Sequence, residues 1–200
     1  MNRESHSIKL LDKHSGNLVD AVIYRGISEK NIDDWQNYWI PQFKSSRAIL
    51  KKSGVEDSHW DWNLKTTEIE GQLAYDSFAI EADEKTQGMM IVNSATYFSK
   101  IEKGKPLIYI EYIATAPWNR KLLVSEPEYG AVGKILFYQA IGESINKKFE
   151  GRIGLHSLPS AIDWYIYLGM MDFGEDDIKK MHYLELDNKT AAKLLNELNT

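Results

Sequence analysis

The chain of 200 residues has no cysteine, which excludes disulfides, thiolate metal sites and a cysteine nucleophile together. Any covalent intermediate would have to form on another residue. It also lacks an apolar run near the roughly 18 residues that a membrane-spanning helix needs. The start, MNRESHSIKLLDKH, is too polar for a secretory signal. The expected compartment is therefore cytoplasmic, with no membrane partner. The five histidines, His6, His14, His59, His156 and His182, contain no HExxH and no pair three or four residues apart. No metal site is expected from that spacing. A positive excess is missing as well: the net charge is −5, so nucleic acid is not an expected partner. Repeats, low-complexity tracts and interdomain linkers are absent. One domain spanning residues 1–200 is expected, with residues 1–16 a polar, loosely docked extension.

What is present reads as alternating strands and helices. Asn17 to Tyr24 has the alternation of a first strand. From Asn31 to about Lys52, Ile32, Trp35, Trp39, Phe43 and Ile49 recur at helical spacing, and Pro41 predicts one broken helix or two short ones closed by Gly54. The segment SHWDWNLK, Ser58 to Lys65, reads as extended, with Trp60 and Trp62 on one face. They would cover the core or wall a pocket in which His59 or Asp61 supplies a polar contact. Leu73–Ala82 and Gly88–Ser94 predict an antiparallel pair joined by the turn Asp83–Gln87. Leu107 to Ala114 is the most apolar strand, suited to burial on both faces. Glu111 interrupts it, and a carboxylate there is costly unless it is paired or has a task.

A helix from Ala131 to about Lys148 leads to a short strand, Gly151 to His156, and this βαβ arrangement predicts that the two strands are parallel. Ser160 opens a short helix that Gly169 ends. Final strands are expected at Met170–Phe173 and His182–Leu186, before a last helix capped by Asn188. The sum is a mixed α/β chain with a central mixed sheet.

The turn Tyr129-Gly130-Ala131-Val132-Gly133 at the start of the long helix has the ingredients of an anion site. It offers backbone amides, the positive end of the helix dipole and glycine that lets a phosphate approach the main chain. Lys134, with Arg120 or Lys121 from the preceding loop, could add charge. A glycine before a helix is also an ordinary tight turn.

Two motifs carry a resemblance. Glu128-Tyr129-Gly130-Ala131-Val132-Gly133 is similar to the pyrophosphate loop [QR]-x-x-G-x-[GA] of the GNAT family of acetyl-coenzyme A dependent N-acetyltransferases. Ala161, Trp164, Tyr165, Gly169 and Met170 resemble the family's later signature, A-x-x-F-Y-x-x-x-G-F. The resemblance covers about Leu107 to Phe173 and implies helices on both faces of the sheet and parallel central strands that splay apart. It implies acetyl-coenzyme A as co-substrate, with Ile113, Ala114 and Thr115 pairing with the pantetheine. Tyr129, Gly130, Ala131, Val132, Gly133 and Lys134 would hold the pyrophosphate. The acceptor would be a small-molecule or protein amine, and a homodimer is left open. Glu111 is the candidate base and Tyr165 the candidate acid for the departing thiolate, with His156 beside them. The alternative readings are, for Glu111, a structural carboxylate paired with a lysine or arginine or one facing solvent beyond the sheet; for Tyr165, a core aromatic; and for His156, a structural histidine.

The chain departs from the pattern at Glu128 and Ala131, where the family has glutamine or arginine and glycine, with Gly130 expected to supply the missing flexibility. It also carries extra residues, KLLVSEPEY, after Pro117-Trp118-Asn119-Arg120. An acyltransferase working by direct transfer is the leading expectation. A non-catalytic coenzyme A-binding or regulatory module, and a toxin that acetylates aminoacyl-tRNA, are the alternatives.

Overall fold

The computed structural model describes residues 3–46 and 55–198; the expected contributions of Ile49 and Gly54 lie outside them. The chain forms two compact units, residues 1–91 with 112–136 and residues 92–111 with 137–200. The chain crosses from one unit to the other within two strands and one helix.

In the first unit, β1 (Ser5–Asp12), β2 (Leu18–Arg25), β3 (Tyr75–Ala82) and β4 (Lys85–Asn93) are hydrogen-bonded in that order. The two-residue strand β6 (Tyr129–Gly130) pairs antiparallel with β1 through Leu11–Gly130 and Asp12–Tyr129. The start of the chain is therefore not a loosely docked extension. Its Ile8 and Leu10 alternate with polar residues through charged neighbours, and Leu10 is fully buried between two partner strands. The β3–β4 connection is tighter than expected: only Asp83 and Glu84, with φ of 48° and 60°, turn the chain. Two left-handed residues match the twist of a hairpin, as in type I′ turns.

Helical residues run continuously from Glu29 to Ser45 as α1 (Glu29–Asp34), a π turn (Trp35–Trp39) and α2 (Ile40–Ser45). Pro41 has no N–H to give to the preceding turn, and the wider π turn accommodates that loss without ending the helix. Trp35, Trp39 and Phe43 thereby stay on one buried face. SHWDWNLK is not extended: Glu56–His59 is a 3-10 turn and Trp62 begins α3 (Trp62–Ile69), capped by the Asp61 carboxylate accepting from Leu64 N–H at 2.9 Å. Trp62 is buried with Trp39, Met89, Ile91, Ala114 and Trp118 in one cluster, against which Trp60 packs.

β5 (Ile108–Thr115) begins in the second unit, where it runs parallel to β7 (Ile153–Ser157), as the βαβ reading requires, in the register Ile108–Ile153, Tyr109–Gly154 and Ile110–Leu155. Both strands continue beyond the last of these pairs. Next come β9 (His182–Leu186), antiparallel to β7, and the bulged β8 (Met171–Glu175). The register gives the strands two unlike faces. Ile108, Ile110, Ile153, Leu155, Leu184 and Leu186 share the apolar one. Tyr109, Glu111, His156, Tyr183 and Glu185 share the other, where Tyr183 and Leu107 are buried with Tyr109 and Tyr97 packs on them. The remaining helices are α4 (Val132–Asn146), α5 (Ile162–Tyr167) and α6 (Asn188–Leu198). Asp187, not Asn188, caps α6, its carboxylate accepting from Thr190 N–H at 2.7 Å. Among the described residues no helix is long and apolar enough to cross a membrane.

Candidate functional site

The sharp entry into α4 builds a cradle. Ala131, just before the helix, has φ of 69°, a left-handed conformation that costs a non-glycine residue roughly 1–2 kcal/mol. Its carbonyl accepts the first helical bond, from Ile135 N–H at 2.9 Å. The amides of Val132 and Gly133 come before that bond and have no acceptor within the helix. Gly130 does not supply the turn's freedom. It lies in extended β6, and what its missing side chain provides is space: a Cβ there would come 2.8 Å from Lys13 Cε. Gly88 seats the helix from below, since a Cβ on it would lie 2.7 Å from Val132 Cγ1 and 3.2 Å from the Ala114 carbonyl.

Around this turn lies a cavity of about 200 Å³ lined by Thr115, Tyr129, Gly130, Ala131, Val132 and Gly133, together with Lys13, Asn119, Lys121 and Pro127. The sequence-predicted residues from Tyr129 to Gly133 and Thr115 thus come together. The lining does not include Ile113, Ala114 or Lys134. Ala114 is buried in the tryptophan cluster and Lys134 is exposed on α4.

The extra loop before the cradle is pinned at its base. Gln87 carries it: its side-chain oxygen accepts from Trp118 Nε1 at 2.8 Å and Asn119 Nδ2 at 3.0 Å, while its amide donates to the Ala82 carbonyl at 3.1 Å. Asn119 in turn accepts from Tyr129 N–H at 2.9 Å, and Glu128 N–H donates to the Trp118 carbonyl at 3.1 Å. Arg120 is committed to structure, with Nε on the Thr115 carbonyl at 2.8 Å and Nη1 on Asp57 at 2.8 Å. Of the two basic residues expected from this loop, Lys121 is the one that lines the cavity. The Tyr129 hydroxyl donates to Asp83, and burial, reinforced by that carboxylate, holds its phenol well above the usual range.

In the second unit, Glu111 is half-buried, with Asn93 Nδ2 at 3.5 Å from its carboxylate. Burial raises its pKa, an effect that the charge of Lys179 and the Asn93 contact only partly oppose. Tyr165, on α5, is 5 % exposed among aromatic rings, with Trp164 at 4.9 Å and Phe137 at 6.2 Å between centroids. His156 Nδ1 lies 2.6 Å from the Tyr109 hydroxyl. Its Nε2 is buried without a hydrogen bond, 3.6 Å from Asp176. Burial, aided by the Lys179 charge, lowers the His156 pKa, so the ring is neutral at neutral pH.

Several residues of these sites escaped the sequence reading. Lys13 reaches the cradle only because β1 pairs with β6, a contact with no local signal. Gln87 sat in an expected turn, and Tyr97, Tyr109 and Lys179 are separated by up to 82 residues. The sequence clues to this face were His156 and Glu111, the latter the polar interruption of a strand that otherwise reads as buried.

No protein-family model and no curated protein sequence matches the chain. Solved structures do. A Desulfovibrio desulfuricans protein assigned to the GNAT family of acetyltransferases superposes with a TM-score of 0.56 at 9% identity, over 84% of this chain and 99% of its own. An acetyltransferase from Exiguobacterium sp. 255-15 gives 0.54 at 15% identity, over 88% and 98%. The toxin AtaT, as a tyrosine-to-phenylalanine variant bound to the C-terminus of the antitoxin AtaR, gives 0.50 at 13% identity, over 86% and 96%. With its parallel β5–β7 pair, antiparallel flanking strands and strand-turn-helix cradle, the chain has the fold of the GNAT acetyltransferases.

Proposed function

We propose that the protein is an acyltransferase that moves an acetyl group from acetyl-coenzyme A to an amine by direct transfer. The observation that carries the proposal is the cradle: main-chain amides at the start of α4, a glycine that leaves room, and Lys13 and Lys121 around one cavity, in a chain with this fold. Those groups suit a pyrophosphate, since oriented amides and ammonium groups stabilise its charge without needing a side-chain template. Val132, Gly133, Lys13 and Lys121 would hold it, and Ile113 to Thr115 would pair with the pantetheine as an added strand. The left-handed conformation of Ala131 turns the chain into α4 without a glycine at that position, which supports the reading despite the departures at Glu128 and Ala131.

In the transfer, the amine nitrogen bonds to the thioester carbonyl carbon, the carbon–sulfur bond breaks, and the proton lost by nitrogen is balanced by one gained at the thiolate. Glu111 takes the first proton: its raised pKa makes it a better base than an ordinary carboxylate. Tyr165 gives the second. With no cysteine in the chain, direct transfer needs no covalent enzyme intermediate.

Isothermal titration of coenzyme A into the purified protein tests the cradle. Saturable binding that Lys13→Glu weakens is the expected result, and no heat and no thermal shift would overturn the proposal.

A further inference from the structure

The polar face of the second unit holds an ammonium group already. Lys179 sits on the turn between β8 and β9, closed by Asp176 N–H donating to the Met181 carbonyl at 2.9 Å. As a residue Lys179 is exposed, and its neighbour in the turn, Ile178, is 91% exposed. Yet its Nζ turns inward. It donates to the Tyr97 hydroxyl at 3.0 Å and the Tyr109 hydroxyl at 2.9 Å, and lies 5.1 Å and 4.7 Å from the centroids of the same two rings.

Those rings are stacked, with centroids 3.7 Å apart and planes at 14°. They form a rigid edge that presents two hydroxyl oxygens to a cation. Behind them the seat is electronegative. Glu111 lies close enough to feel the Lys179 charge, and Asp176 faces His156.

The hydrogen bonds also have a direction. An ammonium only donates, so Tyr109 oxygen accepts from Lys179 and its own proton points to His156 Nδ1 at 2.6 Å. The imidazole proton is then on Nε2, the buried atom that lacks a hydrogen-bond partner and faces Asp176. The His156 side chain is 7% exposed. A hydrogen-bonded line therefore runs from the ammonium through the Tyr109 hydroxyl to the buried imidazole. A lysine serving only to hold a surface turn has no need of such surroundings, since an exposed ion pair would do the same.

We propose that this seat is the acceptor-amine subsite and that Lys179 is its internal occupant, which a substrate's primary alkylammonium group displaces. The proposal rests on the acyl-transfer reading for its chemistry, but the seat itself is defined without the cofactor. The acceptor class it selects is an unbranched primary amine on an alkyl chain, as in a lysine side chain or a linear diamine. A tertiary ammonium brings only one N–H donor for two hydroxyls 3.0 Å and 2.9 Å from one nitrogen, and a secondary one, though it has two, brings a second carbon substituent into the same space. Lys179 would have to swing out first, and its exposed turn leaves it free to do so.

The test uses the whole chain, with Lys179→Ala beside the native protein. 1,4-Diaminobutane is titrated into each without cofactor, and binding is followed by the ring signals of the tyrosines in NMR. The variant should bind at least tenfold more tightly than the native protein, and adding Tyr97→Ala should abolish the gain. With acetyl-coenzyme A present, the KM for 1,4-diaminobutane should fall by a similar factor in Lys179→Ala. Equal binding by the native and Lys179→Ala proteins, or a gain that Tyr97→Ala leaves intact, would overturn the proposal. Tighter diamine binding in a variant that neither binds nor turns over acetyl-coenzyme A would keep the ammonium seat and overturn the acyl-transfer reading instead. Circular dichroism of each variant excludes unfolding as the cause.

Discussion

The cradle of the first unit and the polar face of the second are built by opposite means. Around the start of α4, the groups exposed to the cavity are main-chain ones, held by a left-handed Ala131, a close-packed Gly88 and a loop tied to Gln87. On the β5–β7–β9 face the groups are side chains, Tyr97, Tyr109, Glu111, His156 and Lys179, whose charges and protons depend on one another. A backbone site tolerates sequence change as long as its geometry survives. A side-chain site has no such tolerance, since each group there is a donor, an acceptor or a charge that its neighbours require.

The sharpest way to break the comparison is through proton transfer. Glu111→Gln and Tyr165→Phe should each lower turnover by about 10² to 10⁴ while leaving coenzyme A affinity within about twofold; steady-state kinetics with calorimetry separates the two. A loss of affinity of the same size would mean that the two regions are not independent. Next in size is charge reversal at the cradle. Lys13→Glu or Lys121→Glu should weaken coenzyme A binding by about 10- to 100-fold, the range of a charge-assisted phosphate contact, with turnover at saturation preserved.

The pH dependence sharpens the contrast. Because Glu111 has a raised pKa in the folded chain, turnover should climb as pH rises through that pKa, and Glu111→Gln should remove the limb. Stability moves the other way. The folded state holds the Glu111 proton more tightly than the unfolded chain, so stability is fully present below the ordinary glutamate value. It declines as pH rises through the raised one. His156, with its pKa lowered, loses stability as pH falls through its folded value. Thermal melts of the native, Glu111→Gln and His156→Gln proteins across pH 4 to 8 should resolve the two slopes.

Packing gives smaller effects. Gly88→Val places methyl groups where Val132 and Leu136 already sit and should lower stability by about 1–3 kcal/mol, the usual penalty of overpacking. Ala131→Gly is the mildest. Relief of the left-handed strain is offset by the greater freedom of the unfolded chain, and the net change should be within about 1 kcal/mol. A larger change in either direction would show that the cradle's form depends on more than backbone conformation.

The chain's order of strands and helices was legible because each element carries its own period. The isoleucines of β5 and the glycine before α4 announce themselves locally, and so did the parallel pair, since a helix between two strands leaves little other choice. The N-terminal strand was missed because Lys9, Asp12 and His14 make it look solvated, while its stability comes from partners at residues 18–24 and 129–130. SHWDWNLK misled for a related reason. Two tryptophans in three positions suit a strand face, but the Asp61 cap starts a helix that buries Trp62 and leaves Trp60 against Tyr112.

The division between sequence and tertiary structure follows from the range of the forces involved. Composition and periodicity determined the absence of thiol chemistry, the mixed strand-helix class, the glycine-containing turn before the long helix and the oddity of Glu111, all of which are properties of short stretches. Only the fold decided that Lys13 joins the cradle, that Arg120 is spent on Asp57 and the Thr115 carbonyl, and that Lys179 donates to two tyrosine hydroxyls. Hydrogen bonds and charges act over a few ångströms in space, whatever the distance along the chain, so a site assembled from residues 97 to 179 exists only once its strands have paired.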